Sequence, residues 1–323
     1  MRVAVTGGSG VVGRAVVSHL VAGGFDVTAT SRSPDADETL SMLGATPVRA
    51  ELGDYESLLA AFAGVERVFH IAGVNAMCVN DPVPMWEANI DGTLSVAEAA
   101  AEARVSRLVY TSSAAVLGER QGTVGDEDSE HRGSFLSRYE ESKYLAERAL
   151  LDLDPEVEVV IVNPSSVQGP GRATGTGELI LDVVNGRLRV LADTSLSIVD
   201  IDDCARGHLL AAEVGADRRR YVLNSFTLTA REAIEAISGV LGAPLEVRFL
   251  PPWVVRSAGP VADFLRWMRV PVPFCGEMIA TVAHGHRYDG SRAANELGLE
   301  YADPQAFMSR LVGWFRSEGL TDR

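Results

Sequence analysis

The sequence predicts an α/β protein: a doubly wound parallel sheet with a smaller C-terminal substrate-binding lobe. Three observations lead there. Strand-like and helix-like patterns alternate through the first half of the chain. A glycine-rich turn joins the first strand to the first helix. A later strand ends in hydroxyls, and the helical pattern after it carries Tyr139 and Lys143 four residues apart. Alternation of this kind means parallel strands joined by crossover helices.

Arg2–Thr6 is a short apolar run that reads as a buried strand, and Gly7-Gly8-Ser9-Gly10-Val11-Val12-Gly13 follows at once. An apolar helical pattern over 10–22 comes next, through Ala15, Val16, His19, Leu20 and Val21, until Gly23-Gly24 stops it. Further strands are expected at Asp26–Ser31, Thr46–Arg49, Arg67–Ile71, Arg107–Thr111 and Glu158–Asn163. Helices are expected between them at Glu38–Leu43, Tyr55–Phe62, Pro84–Ala103 and Arg138–Leu153, with Asp54 capping the one at Tyr55.

Past Pro164 the pattern changes. Gly169-Pro170-Gly171 and Thr174-Gly175-Thr176-Gly177 mark a flexible loop. Then come a helix (178–185), a strand (188–191), a strand (197–201), a helix over 202–214 capped by Asp202, a strand (220–224) and a helix (229–241). The domain reading is 1–164 for the dinucleotide-binding part, with a return segment at about 197–226. Residues 165–196 and 227–323 make the lobe. Its aromatics Trp253, Phe264, Trp267 and Phe274 read mainly as that lobe's own core, with a pocket lining as the alternative.

Composition bounds the partners. The chain has 323 residues, 46% hydrophobic and 23% charged, as in a soluble globular protein, and a net charge of −15. That field disfavours nucleic acid and anionic membranes. The run Arg218-Arg219-Arg220 reads as a solvated turn. Cys78, Cys204 and Cys275 are odd in number and far apart, so they read as reduced intracellular thiols. The first strand begins at residue 2 and no apolar run has the length of a membrane span, so no signal peptide and a cytoplasmic location are expected. His70, His131 and His208 have no metal-ligand spacing, and no metal site is expected.

The glycines at 7, 10 and 13 have a physical reading. The first allows a tight turn, the second lets backbone approach a pyrophosphate, and the third lets the helix lie close on the sheet. The helix N-terminus offers N–H groups to the phosphates. Tyr139 and Lys143 share one helix face, so the ammonium is expected to lower the phenol pKa from about 10 and tune it for proton transfer. In Leu108-Val109-Tyr110-Thr111-Ser112-Ser113-Ala114 the hydroxyls end a strand, where ligands bind in an open parallel sheet. Ser113 either donates to a substrate oxygen or caps backbone groups. At the end of the second strand, Thr30-Ser31-Arg32-Ser33 holds no carboxylate for ribose hydroxyls, and Arg32 stands where a 2′-phosphate would sit. This favours NADP(H), with NAD(H) as the alternative.

Together these motifs closely resemble the extended short-chain dehydrogenase/reductases, a NAD(P)-dependent epimerase/dehydratase family, and within them the dihydroflavonol 4-reductase-like branch. The residues that carry the resemblance are Thr6 to Gly13, His70-Ile71-Ala72-Gly73, Asn89-Ile90-Asp91-Gly92-Thr93, Thr111 to Ala114, Tyr139 with Lys143, Asn163 to Gly171, and Val199-Asp200-Ile201-Asp202-Asp203. The resemblance implies an extended Rossmann fold, a nicotinamide cofactor and a triad. In it Ser113 holds the substrate oxygen, Tyr139 is the acid or base, and Lys143 binds the nicotinamide ribose. It implies cofactor contacts at Gly7, Ser9, Gly10, Val11, Val12, Gly13, Arg32, Glu51, Leu52, Ala72, Gly73, Thr111, Tyr139, Lys143, Pro164, Ser166 and Val167. It also implies a homodimer through helices 84–103 and 138–153. Two positions depart from the family pattern: Glu51-Leu52 replaces an aspartate-leucine pair, and Leu117 replaces a tyrosine.

Three functions are compatible with these residues. The first is a reductase of a ketone or aldehyde in a small organic substrate. The second is a nucleotide-sugar epimerase with retained NAD. The third is a non-catalytic dinucleotide sensor. Ala114-Ala115 lack the acids a sugar dehydratase needs after the serine. Ser195-Leu196-Ser197 lack an arginine for a sugar diphosphate, although Arg172, Arg187 or Arg189 offer substitutes. The reductase is favoured. Its pocket would be lined from 75–80, Leu117, 165–168 and the C-terminal aromatics, with 126–130 as a mobile, solvated acidic loop over it.

Overall fold

The computed structural model describes residues 1–322. Its first half runs β1 (Arg2–Thr6), α1 (Val11–Ala22), β2 (Asp26–Ser31), α2 (Pro34–Met42), β3 (Thr46–Arg49), α3 (Tyr55–Phe62) and β4 (Arg67–His70). Next come α4 (Val83–Trp86), a π-helical turn (Glu87–Asp91), α5 (Gly92–Glu102), β5 (Arg107–Thr111), a 3₁₀ turn (Ala114–Leu117), α6 (Arg138–Leu153) and β6 (Glu158–Pro164). The second half has β7 (Ser166–Gln168), α7 (Thr176–Val184), β8 (Val190–Ala192), β9 (Ser195–Asp200), α8 (Ile201–Val214), β10 (Arg220–Leu223), β11 (Phe226–Thr229) and α9 (Ala230–Leu241). It ends with β12 (Arg248–Leu250), α10 (Pro252–Ser257), α11 (Gly259–Trp267), α12 (Gly276–His284), α13 (Ser291–Leu297) and α14 (Pro304–Ser317).

Seven parallel strands form one sheet in the order β10-β6-β5-β4-β1-β2-β3. The order reverses between β1 and β4, which opens a crevice at their carboxyl ends. Both faces are covered, so successive strand residues enter different cores. Val3 and Val5 pack in one core with Val16, Val17 and Leu20 of α1 and with α8, whereas Ala4 joins the other core with Leu58, Val96 and Leu150 of α3, α5 and α6. A third core, built on Ile180, Val184, Phe226, Ile237, Phe307 and Phe315, holds α7, α9 and α14 together.

Several sequence expectations need correction. The α8 cap is Asp200, whose side chain accepts from the Asp202 N–H; Asp202 lies inside the helix. The helix expected from Glu38 begins at Pro34, because the Ser33 side chain caps it. The run expected at 84–103 is helical over 83–102, but five of its residues, Glu87–Asp91, take π geometry. Trp253 and Trp267 are 73% and 77% exposed, and Phe264 and Phe274 are exposed too, so these rings are not the lobe's core. Of the run 218–220, Arg218 and Arg219 are exposed as expected, but Arg220 is only partly so: it pairs with Glu147 and donates to the Glu127 carbonyl. Within the acidic loop Glu127 is buried, accepts from the Val222 N–H and pairs with Arg292. Cys78 and Cys275 are joined as a disulfide across 5.6 Å between Cα atoms; only Cys204, buried in α8, is a free thiol among the described residues. The spacing of 197 residues hid that pair, since only the folded chain brings the two ends together. No helix among the described residues is long and apolar enough to cross a membrane.

Candidate active site

Every strand of the main sheet runs the same way, so the carboxyl ends share one edge. That edge collects Gly7 after β1, Arg32 after β2, Glu51 after β3, Ala72 and Gly73 after β4, Thr111 and Ser113 at β5, and Pro164 at β6.

The glycine turn is built to carry no side chains. Gly7 has φ +72°, and a Cβ there would meet the Ala72 nitrogen at 2.6 Å. A Cβ on Gly13 would meet the Gly7 carbonyl oxygen at 2.1 Å. Gly10 is exposed, and a Cβ there would meet only the Gly7 oxygen, at 3.3 Å. Gly10 also caps α1 without any side chain. A twelve-residue helix therefore presents its N-terminal N–H groups and positive dipole at a side-chain-free concavity. This cradle fits a pyrophosphate. Ser9, Val11 and Val12 lie around it, each partly exposed.

A buried chain of hydrogen bonds anchors the floor beside it. The Ala72 N–H donates to Thr6 Oγ1 at 3.3 Å, and Thr6 Oγ1 lies 2.7 Å from His70 Nδ1. His70 Nε2 is 3.1 Å from Thr93 Oγ1, whose own hydroxyl donates to the Asn89 carbonyl. Thr93 must therefore accept from His70, which fixes Nε2 as the protonated nitrogen. Burial and the Lys143 charge hold His70 down to about 3, so it stays neutral. Asn89, in the π turn, accepts from the Val74 N–H and donates to the Val74 carbonyl and to Ser142 Oγ. Ser142 in turn donates to the Tyr139 carbonyl. Asn89 thus ties the segment after β4 to the helix that carries Tyr139 and Lys143. A π turn at such a place re-aims one side chain.

Ser137 caps α6 and starts it two residues before Tyr139. Tyr139 is partly buried, and burial raises its phenol above the ordinary value while hydrogen bonding to Ser113 and then the Arg172 charge oppose the rise. The sequence-based expectation was the reverse, a phenol lowered by Lys143. The difference has a physical reason. Lys143 is buried and aims at the sheet, where Nζ donates to the Thr111 carbonyl at 2.7 Å; desolvation brings the amine down to about 7. The groups that favour phenolate are Ser113 and Arg172. Ser113 fills the capping reading. Its Oγ accepts from the Ala115 N–H at 3.3 Å, and the same hydroxyl meets Tyr139. Asn163 holds the Ser113 carbonyl at 3.2 Å and is itself held by Glu147 at 2.8 Å.

The remaining sites divide. Arg32 is exposed, with no ionic partner among the described residues; Arg49 beside it pairs with Asp37 and reaches Ser31 Oγ. Glu51 is exposed and Leu52 packs on Gly92. Ser166 accepts from Gln168, Val167 is buried in a core, and Pro164 is buried at the end of β6. Leu117 is buried with Ala114, Val222 and Tyr288. Sequence reasoning missed three features. Arg172 was weighed only as a diphosphate ligand, yet its charge acts on Tyr139. Glu277 accepts from the N–H groups of both Cys78 and Arg138. Glu119 gathers His284 and His286; the signal available was the pair His284-Gly285-His286.

The family model of the NAD dependent epimerase/dehydratase family matches residues 3–223. The chain belongs to that family. It is an oxidoreductase of the extended short-chain dehydrogenase/reductase branch. Among its relatives, a protein of Synechocystis sp. assigned as a dihydroflavonol 4-reductase is 31% identical over 327 residues, covering 98% of this chain and 94% of the relative. The 2-alkyl-3-oxoalkanoate reductase of Stenotrophomonas maltophilia is 31% identical over 256 residues, covering 76% and 77%. The crystal structure of gox2253 superposes with a TM-score of 0.87 at 30% identity, covering 99% of each chain.

Proposed function

We propose that this member of the family is an NADP(H)-dependent reductase of a ketone or aldehyde carbonyl, with Ser113, Tyr139 and Lys143 as its reactive set. The observation that carries the proposal is the Tyr139 hydroxyl. It stands at the carboxyl edge of the sheet beside Ser113 and within the field of Arg172. A phenol kept above its ordinary pKa is protonated at neutral pH and is suited to act as an acid.

The dinucleotide supplies a hydride when bound. The residues that would hold it are the Gly7–Gly13 turn at the pyrophosphate, Ala72 and Gly73 beneath it, Lys143 at the nicotinamide ribose, and Arg32 at a 2′-phosphate. Ser113 orients the substrate oxygen by hydrogen bonding. Tyr139 donates its proton to that oxygen as negative charge develops there. Arg172 places positive charge by the resulting phenolate and Ser113 hydrogen-bonds to it, which lowers the cost of giving up the proton. Asn89 and Ser142 hold the α6 turn that aims the phenol.

Two observations favour a carbonyl with apolar flanks. One relative is named for reducing a 3-oxoalkanoate that carries an alkyl branch. The helices over the lobe expose Trp253, Val261, Phe264, Trp267 and Met268. The test is a panel of alkyl and aryl ketones with NADPH, followed by absorbance and chromatography of products. Net NADPH consumption with formation of the alcohol is expected. Tightly retained NAD and interconversion of nucleotide sugars without net absorbance change would replace the reductase by an epimerase.

A further inference from the structure

Outside the cleft just described, one carboxylate and two imidazoles converge where the last third of the chain meets the loop behind Ser113. Glu119 follows the 3₁₀ turn that begins at Ala114; His284 ends α12, and His286 comes two residues later. Glu119 and His284 are buried and the His286 side chain is 16% exposed. Glu119 Oε1 lies 2.6 Å from His286 Nδ1 and 3.4 Å from His284 Nε2. All three donor atoms fall within 4.8 Å of one another. Tyr288 Oη stands 2.8 Å from His286 Nδ1.

Hydrogen bonding within the protein does not use up this group. It accounts for His286 and Glu119 Oε1. It leaves His284 Nε2 and Glu119 Oε2 buried without a hydrogen-bond partner among the described residues. A buried polar atom left without a partner is costly, and such atoms call for a ligand, an ion or a water. The nearby guanidinium of Arg132 does not oppose a cation here, because Glu140 neutralises it.

We propose that Glu119, His284 and His286 bind a divalent transition-metal ion of the zinc class. Two imidazole nitrogens with one carboxylate suit zinc, nickel or copper, whereas calcium and magnesium need oxygen shells. Ligands about 2.0–2.1 Å from a tetrahedral ion lie roughly 3.3 Å from each other. The His284–Glu119 separation of 3.4 Å already meets that spacing. The His286–Glu119 pair has to open from 2.6 Å, by less than about 1 Å. The ion takes the place of the proton shared by that pair, and the proton leaves to solvent.

Such an ion would fix the C-terminal end of α12 to the loop that continues from Ser113. The other end of α12 is held already, by the Cys78–Cys275 bond and by Glu277. The site is separate from the reductase reading, and its test does not depend on turnover.

The full chain, treated with chelator and dialysed, is titrated with Zn²⁺ by calorimetry and with Co²⁺ by visible absorption. One equivalent per chain, an intense tetrahedral Co²⁺ band and a Zn²⁺-dependent rise in melting temperature are expected. His284→Ala and His286→Ala should each weaken binding by at least about tenfold. The double variant Cys78→Ser/Cys275→Ser should bind as the parent does, which excludes Cys78, Cys275 and Glu277 as the site. If the alanine variants do not fold, His286→Asn replaces them, keeping a polar group of similar size. Absence of stoichiometric uptake, or uptake untouched by the histidine changes, would overturn the assignment.

Discussion

The Lys143 ammonium is fastened to the strand that leads to Ser113: Nζ donates to the Thr111 carbonyl at 2.7 Å and lies 4.5 Å from the centre of the Tyr110 ring. One charged side chain thereby joins α6 to the carboxyl end of β5. Four-residue spacing puts Tyr139 and Lys143 on one helix face, but burial separates their roles. The lysine is bound to the sheet edge, and Ser113 and Arg172 act on the phenol.

Burying that amine has a pH signature. Its folded pKa of about 7 lies below the ordinary value of 10.5, so between the two the unfolded chain binds more protons. Stability of the protein without dinucleotide therefore rises with pH through that window, and the penalty is present in full below it. Lys143→Met removes this dependence. Denaturant unfolding of both proteins between about pH 7 and about pH 10 should show the wild type gaining on the variant as pH rises. A constant difference would mean that Lys143 keeps its charge.

For Tyr139→Phe, carbonyl reduction should fall by about 10²–10⁴-fold, the usual worth of a positioned general acid. Dinucleotide affinity should not change, since the cradle is elsewhere. The wild-type rate of reduction should be flat across neutral pH and decline only as pH climbs through the raised phenol pKa, because the acid must hold its proton. Steady-state rates across pH, with dinucleotide binding by fluorescence, check both. A variant that keeps its turnover would remove Tyr139 from the chemistry.

How much of this was legible beforehand follows from the physics of each part. The parallel sheet, the Gly7–Gly13 turn and the Asp54 cap rest on local rules, where a residue type and its immediate neighbours decide the outcome. The direction of the Tyr139 shift was not legible, because burial dominates it and burial is decided by the folded chain, not by the neighbours of Tyr139 in sequence. Cys78 and Cys275 looked like separate thiols for the same reason: 197 residues part them in sequence. The exposed tryptophans of α10 and α11 misled the core assignment, since an apolar residue in sequence does not say which surface it faces. Nor does the motif around Asn89 say what its side chain holds; the folded chain shows that it grips Val74 and Ser142.

Arg32 is the proposed reader of the 2′-phosphate. Arg32→Ala should weaken NADP(H) by about ten- to a hundredfold, the range of one charge-assisted contact of about 1.5–3 kcal/mol. NAD(H) should bind as before. Arg49, already paired with Asp37, should contribute less. Fluorescence titration with both dinucleotides decides it, and an equal loss for the two would refute the selectivity reading.

Gly13→Ala tests the cradle without touching the reactive pair. The added methyl would stand 2.1 Å from the Gly7 carbonyl oxygen and 2.7 Å from Gly8 Cα, and neither is a side chain that can swing away. The turn and α1 must part, which moves the N–H groups off the phosphate position. Thermal unfolding should show a loss of about 1–3 kcal/mol, with dinucleotide binding reduced more than stability. Gly24→Ala is the control. Nothing lies within 4 Å of a Cβ there, and its cost comes from φ +76° alone.

The last prediction concerns the tie between α12 and the helix of Tyr139. Glu277 takes the N–H of Cys78 with one oxygen and that of Arg138, the residue before Tyr139, with the other; Cys275 is bonded to Cys78. One end of α12, the segment after β4 and the start of α6 are therefore a single joint. Peptide mapping without reductant should recover the Cys78–Cys275 cross-link. Cys78→Ser should cost about 2–4 kcal/mol in unfolding free energy, as loss of a long-loop disulfide does. Glu277→Ala should lower turnover as well as melting temperature, because Arg138 is freed at the turn that aims the phenol. If Glu277→Ala lowered melting temperature alone, the joint would hold the fold without positioning Tyr139.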